Sequence, residues 1–166
     1  FRRVLFRSEM TETASGLLVS VDGEDVSEAI RTPEVTRNIY RLDQVSGVRR
    51  HLVELQRIFG CRRPTVAEGR DIGTVVFPAA RCKIYLDASL ECRAKRRALE
   101  LEAKGMPVDF EALVEEIRDR DEKSMTRADS PLRRADDAVL VNTTSMGQDQ
   151  VVASLVALAR ERLCQH

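Results

Sequence analysis

CKIYLDASLECRAKRRALELEAKG, residues 82–105, decides how the chain is built. Cys82–Leu86 is a short apolar run that reads as a buried strand, and it runs into Asp87. Ser89 stands where a helix N-cap belongs, and Gly105 stops a helix that reaches Lys104, since glycine tolerates the left-handed backbone of a helix end. Downstream, Asp109 caps a helix from Phe110 to about Met125, and VLV at 139–141 reads as a strand ending in NTT. Ser145 and Gln148 form an S-x-x-Q capping box for a last helix to about Leu163, with Val151, Val152, Leu155, Leu158 and Ala159 as its apolar stripe. Upstream, Thr65–Ala67 looks like a strand ending in the polar turn EGRDIG, and Thr74–Phe77 is a further β-rich stretch closed by Pro78. From residue 62 the order is strand, helix, helix, strand, helix. That alternation predicts an α/β fold with a largely parallel sheet over 62–166.

The N-terminal part reads differently. LLVSV at 17–21 is a strand candidate, and Asp22-Gly23 after it is a strong hairpin signal. Glu24–Ile30 is either the returning strand or a loop. Thr32-Pro33 pairs an N-cap with proline at the first helical position, opening a helix to about Val45. Gly47 is expected to break it, and a second helix runs from Val48 to Phe59. Residues 9–61 therefore form a small hairpin-and-helix subdomain. Residues 1–8, FRRVLFRS, show neither period nor turn signal. They resemble translated adapter DNA, with the native reading resuming near Glu9, or else a disordered basic tail.

Composition narrows the function classes. Lys plus Arg and Asp plus Glu both number 27, so formal net charge is zero, and aromatics make up 4% with no Trp. A protein that neutralises a long nucleic acid backbone carries a basic excess, and single strands are bound on rows of rings. Nucleic acid is thus disfavoured, and phosphate chemistry should be local. Cys61, Cys82, Cys92 and Cys164 form no CxxC pair, and His51 and His166 are the only histidines, so no metal site is expected. A reducing cytoplasm suits such cysteines. No apolar run approaches the roughly 20 residues of a membrane span.

Ligands of open α/β sheets bind beyond the carboxyl ends of the strands. Glu68-Gly69-Arg70-Asp71, Asp87-Ala88-Ser89 and Asn142-Thr143-Thr144 lie at such ends. Arg70 offers a planar fork suited to phosphate, and Glu68 and Asp71 accept hydrogen bonds from amino groups or hydroxyls. A bare turn in which Arg70 and Asp71 pair with one another explains the same string. Arginines recur at 93, 96 and 97, and at 118, 120 and 127. Clustered on a hinged segment they would neutralise a transferred phosphoryl group; on a solvated helix face they would pair with acids one turn away. The second account fits Arg97 and Arg118, and for Arg93 and Arg96 both stay open.

Five strings bring a resemblance: VDGEDVSEAIRTPEV (21–35), EGRDIGTVVFP (68–78), KIYLDAS (83–89), RAKRR (93–97) and RDxxxxxRxxxPL (120–132). In this order and spacing they resemble bacterial cytidylate kinases from about Leu17 onward. The resemblance implies the sheet of P-loop nucleoside monophosphate kinases, with the hairpin at 17–26 in an inserted monophosphate-binding subdomain. It implies ATP with Mg2+ and CMP or dCMP as the nucleotides, and a cytoplasmic monomer. It assigns Arg49, Glu68, Arg70 and Asp71 to the monophosphate, with Asp71 near the cytosine amino group and Arg70 near the phosphate. Arg120 and Arg127 are implied as phosphoryl-contacting residues of a lid at about 118–132, and Arg93 and Arg96 stand as candidates for the ATP phosphates. Two positions depart from the pattern: Ser124 stands where an Asp contacts the ribose, and Tyr40 where a Ser contacts the base.

The string G-x-x-x-x-G-K-[ST], whose amides cradle ATP phosphates, occurs nowhere in the 166 residues. The resemblance places its strand centrally, between those at Thr65–Ala67 and Cys82–Leu86. The expectation is a kinase lacking that strand, poorly folded and inactive in isolation. The alternative is a non-catalytic module that keeps only the CMP pocket.

Overall fold

The computed structural model describes residues 8–14, 16–62 and 64–164. The expected leader, apart from Ser8, lies outside them. Two compact units divide the chain, one ending at Arg50 and the other beginning at His51.

The first unit is an antiparallel sheet of β1 (Ser8–Thr13), β2 (Gly16–Val21) and β3 (Glu24–Asp25), in that spatial order. Its tight turn has Asp22 at φ 53° and Gly23 at φ 86°, the pair of positive angles that a two-residue hairpin turn requires. Glu24–Ile30, open in the sequence, divides its length. Two residues pair with β2, and Ser27 then takes over as a side-chain substitute for the strand. Its hydroxyl accepts from Val19 N–H at 2.8 Å and donates to Asp25 Oδ1 at 2.6 Å. That bond holds the Asp25 carboxyl below its ordinary pKa. Thr32 caps α1 (Pro33–Asn38), accepting from Val35 N–H. The single helix expected to about Val45 is instead α1 and a short α2 (Tyr40–Asp43). Gly47 breaks nothing, because α3 runs Ser46–Gly60 with Gly47 in its first turn.

In the second unit β4 (Ile84–Asp87) and β5 (Val139–Asn142) lie parallel, with Ile84 opposite Val139 and Asp87 opposite Asn142. The crossover between them consists of α4 (Leu90–Ala103) and α5 (Phe110–Met125), which pack together, and α6 (Gln148–Cys164) follows β5. Ser89 and Asp109 cap α4 and α5 as expected, accepting from Cys92 and Ala112 N–H. The buried apolar residues described are small or few: Val76, Ala88, Ala94, Ala98 and Leu113. Ala94 and Ala98, four apart, are both buried on α4, where alanine lets a neighbour approach closely.

Three expectations are corrected. Thr65–Ala67 forms no strand; Val66 is fully exposed, and strand-forming residues hold no strand where no core receives their side chains. Thr74–Phe77 is likewise no strand. Residues 72–76 make a π-helical turn in which the N–H groups of Thr74, Val75 and Val76 all reach the Asp71 carbonyl. Arg57 from α3 covers the open end, donating to the carbonyls of Val76 (2.9 Å) and Val75 (2.6 Å). Gly60 permits this approach, since a Cβ there would lie 2.4 Å from the Phe77 ring. Finally, the capping box at α6 is shifted by two residues: the Gln150 side chain accepts from Gly147 N–H at 2.9 Å, and Ser145 makes no cap. None of the described helices is long and apolar enough to cross a membrane.

The leading ends of the two parallel strands are joined by Lys83 and Asp137. Lys83 Nζ is buried, 2.8 Å from Asp137 Oδ2, and also donates to the Pro78 carbonyl. The bond from Lys83 holds the Asp137 carboxyl below its usual range. A depressed carboxyl contributes stability above its unfolded pKa of about 3.9 and loses it as pH falls through the folded value. Asp137→Asn should therefore lower the urea midpoint at pH 7, with the difference from wild type closing below about pH 4.

Candidate functional site

The carboxyl ends of β4 and β5 are wired to the start of α4 by side chains within two short strings. Thr143, buried, sends both its N–H (2.7 Å) and its hydroxyl (3.0 Å) to the Asp87 carbonyl. Thr144 Oγ1 accepts from Ser89 N–H at 2.9 Å. Asp87 Oδ1 accepts from Ala88 N–H, and Asn142 Oδ1 from Thr144 N–H. Arg96, about two helical turns beyond the cap, closes the network: its guanidinium donates to Thr143 Oγ1 (3.2 Å), Thr143 O (2.6 Å) and Met146 O (3.2 Å). Two of the three expected polar strand ends are thus one structure.

The third, Glu68–Asp71, follows no strand and meets α5 instead. Gly69 is needed there because a Cβ would come within 2.8 Å of Ile72 Cγ1. Arg70 Nη1 donates to the Arg120 carbonyl at 3.1 Å, and Ser124 Oγ donates to the same oxygen at 2.7 Å. Arg70 thus meets, at one carbonyl, the Arg120–Ser124 turn of α5 fifty residues further along the chain. Ser124 is buried, with its proton committed to that bond. Leu132 N–H returns to the Ser124 carbonyl at 2.8 Å and closes the intervening loop. Asp71 is half-buried and Glu68 exposed.

The remaining candidates are placed as follows. Arg127 folds around its own turn, donating to the Asp129 carbonyl (2.7 Å) and the Ser130 carbonyl. Arg93 donates to the Ala88 carbonyl at 3.1 Å and forms an ion pair of 2.5 Å with Asp121. Arg97 and Arg118 pair with Glu100 and Glu115 three residues away, as solvated helix faces do. Arg49 lies on α3 in the N-terminal unit, half-buried; nothing is described of the Tyr40 side chain. Sequence reasoning missed Asp121, while Thr143 stood in one of the expected polar strand ends. Asp121 stood inside the quoted RDxxxxxRxxxPL string, but its partner 28 residues away left no local mark.

An α/β unit with parallel strands, and with arginines crowding one carboxyl end and one helix, is the class that fold and site define. The model of the cytidylate kinase family matches residues 3–161. The chain is 47% identical to a cytidylate kinase of Aeromonas salmonicida over 145 residues, covering 87% of this chain and 63% of that protein. It is 48% identical to a cytidylate kinase of Syntrophotalea carbinolica over 144 residues, covering 87% and 61% respectively. Similarity extends to a bifunctional pantoate ligase/cytidylate kinase of Synechococcus elongatus, 49% identical over 146 residues, 88% of this chain and 28% of that one. This chain belongs to the cytidylate kinase family. It spans slightly over three fifths of the length of the first two of these relatives.

The Arg96 network yields a test. Lysine offers a point charge where Arg96 bridges two carbonyls and a hydroxyl. Hydrogen bonds to charged groups contribute about 1.5–3 kcal/mol, less where solvent reaches them. Arg96→Lys should cost about 1 kcal/mol in urea denaturation, and loop amides 143–147 should exchange faster with solvent deuterium.

Proposed function

We propose that the protein containing this chain moves the γ-phosphoryl group of ATP to a phosphate oxygen of CMP or dCMP. The new bond joins that oxygen to the γ-phosphorus, the bond to the β,γ-bridging oxygen breaks, and ADP leaves beside CDP or dCDP. Family membership supports the reaction class. The observation that carries the site is the junction at the Arg120 carbonyl, which puts the phosphate-suited fork of Arg70 against the helix bearing Arg120.

In this reading Arg70 holds the monophosphate, Asp71 faces the cytosine amino group, and Glu68 completes that subsite. Arg120 and Arg127 belong to a lid at about 118–132 and neutralise charge on the group in flight, the chief contribution a protein makes to phosphoryl transfer. Arg70 has five N–H donors, so it can bind phosphate oxygens while one donor stays on the Arg120 carbonyl. Arg93 and Arg96, candidates for the ATP phosphates, spend donors on protein carbonyls, which favours a supporting role. We read the fold as the P-loop nucleoside monophosphate kinase sheet, in which β4 and β5 are two of several parallel strands, and the protein as a cytoplasmic monomer.

Among the described residues no three His, Cys, Asp or Glu side chains converge to hold a metal ion. None is therefore assigned to Mg2+, which accompanies ATP on its phosphate oxygens and neutralises their charge.

Arg70→Met should lower kcat/KM for CMP by at least about 100-fold, as losing one preorganised charge donor does, and leave the KM for ATP nearly unchanged. Coupled assays of ADP release measure both; a normal kcat/KM for CMP would overturn the assignment of Arg70. Ser124→Asp, which puts a carboxylate at the departing lid position, should change the ratio of CMP to dCMP turnover. An unchanged ratio would remove Ser124 from the sugar subsite.

A further inference from the structure

Beyond the phosphate-contacting arginines, we infer that Asp121, gripped by Arg93, is a positioning residue that fixes the turn of α5 presenting Arg120. The inference rests on the site reading above.

Three observations carry it. First, the Arg93–Asp121 pair is short at 2.5 Å and partly shielded, with 36% and 22% of the side chains exposed. Second, Arg93 is itself anchored, since its Nε donates at 3.1 Å to the carbonyl of buried Ala88, immediately after β4. The carboxyl end of the strand, the start of α4 and the lid helix are thereby joined through one guanidinium. Third, the neighbouring residue is held only by its backbone. The Arg120 carbonyl takes hydrogen bonds from Arg70 and Ser124. The Arg120 guanidinium is exposed and, among the described residues, makes no hydrogen bond or ion pair.

The chemistry follows from this division. A guanidinium that must meet charge developing on a transferred phosphoryl group gains most when it is unpaired beforehand and correctly placed. Asp121 and Arg70 supply the placement through two separate contacts on the same turn, and leave the Arg120 side chain available. Arg93 cannot hold Asp121 and Ala88 through two of its edges and also embrace a nucleotide phosphate with the same nitrogens. Its part is therefore mechanical support for the residue next to its partner.

The test compares, in the whole protein, Asp121→Asn, Arg93→Gln and the charge exchange Arg93→Asp with Asp121→Arg. Each single variant should lower kcat by about 10- to 100-fold, the cost of a small misplacement of a catalytic group, while KM for ATP and for CMP moves less than about threefold. Deuterium exchange at the amides of residues 120–126 should quicken in both. The exchanged pair should recover most of kcat and of the exchange protection. A raised KM for ATP with unchanged kcat in Arg93→Gln, unrecovered by the charge exchange, would make Arg93 a direct nucleotide ligand and overturn the inference. So would Asp121→Asn with wild-type kcat and wild-type amide exchange. A wild-type protein that forms no CDP would refute the reaction alone, and the amide exchange of the three variants would still decide whether the pair holds the helix.

Discussion

Five guanidinium groups in the second unit, those of Arg57, Arg70, Arg93, Arg96 and Arg127, donate to backbone carbonyl oxygens. That of Arg70 meets a carbonyl inside α5, and the other four cover segments that leave regular structure: the π-helical turn at 72–76, the end of β4, the loop after β5 and the turn at 129–130. Carbonyls in such places have no ladder or helical partner, and a buried one left unmet costs about 1–3 kcal/mol. Arginine suits the task because its rigid fork spans two acceptors at once. The unit has few large buried side chains, so these staples do much of the work of fixing its loops.

The same property bears on ligand binding. A fork holding a carbonyl with one nitrogen still presents others, so an arginine can be structural and phosphate-binding together. Arg70 illustrates the shared case, with one donor on α5 and a position in the EGRD turn. Arg96 lies at the other extreme, with both terminal nitrogens on the loop after β5. Arg120 is the complement: its carbonyl is the acceptor, and its side chain faces solvent. Zero net charge means that the chain lacks the basic excess that attracts a long polyanion.

Ser124, where the resemblance implies an aspartate, meets its hydrogen-bonding needs locally. Buried on α5, its hydroxyl returns to the carbonyl four residues back, a bond that serine makes readily in helices. An aspartate in that position would instead need a partner of positive charge or water. Serine here satisfies itself within the helix, where the aspartate that the resemblance implies would carry a charge needing a partner.

Three helix starts, the hairpin turn and the strand–helix–helix–strand–helix order from Cys82 onward were legible because each depends on a few adjacent residues. Ser89, Asp109 and Thr32 cap from their own side chains, and Asp22-Gly23 accept positive φ where other residues resist it. The five motif strings carried the family for the same reason. Tertiary structure alone decided the rest. Thr65–Ala67 and Thr74–Phe77 have strand-forming residues, yet a strand exists only where a partner backbone lies alongside, and no local signal reports that. Which arginine takes a carboxylate, which takes a carbonyl and which stays open was equally hidden. A guanidinium binds all such acceptors well, and for Arg70, Arg93 and Arg96 a partner lies 50, 28 and 47 residues away along the chain. Local chemistry names the donors, but only the folded chain brings acceptors within reach of them.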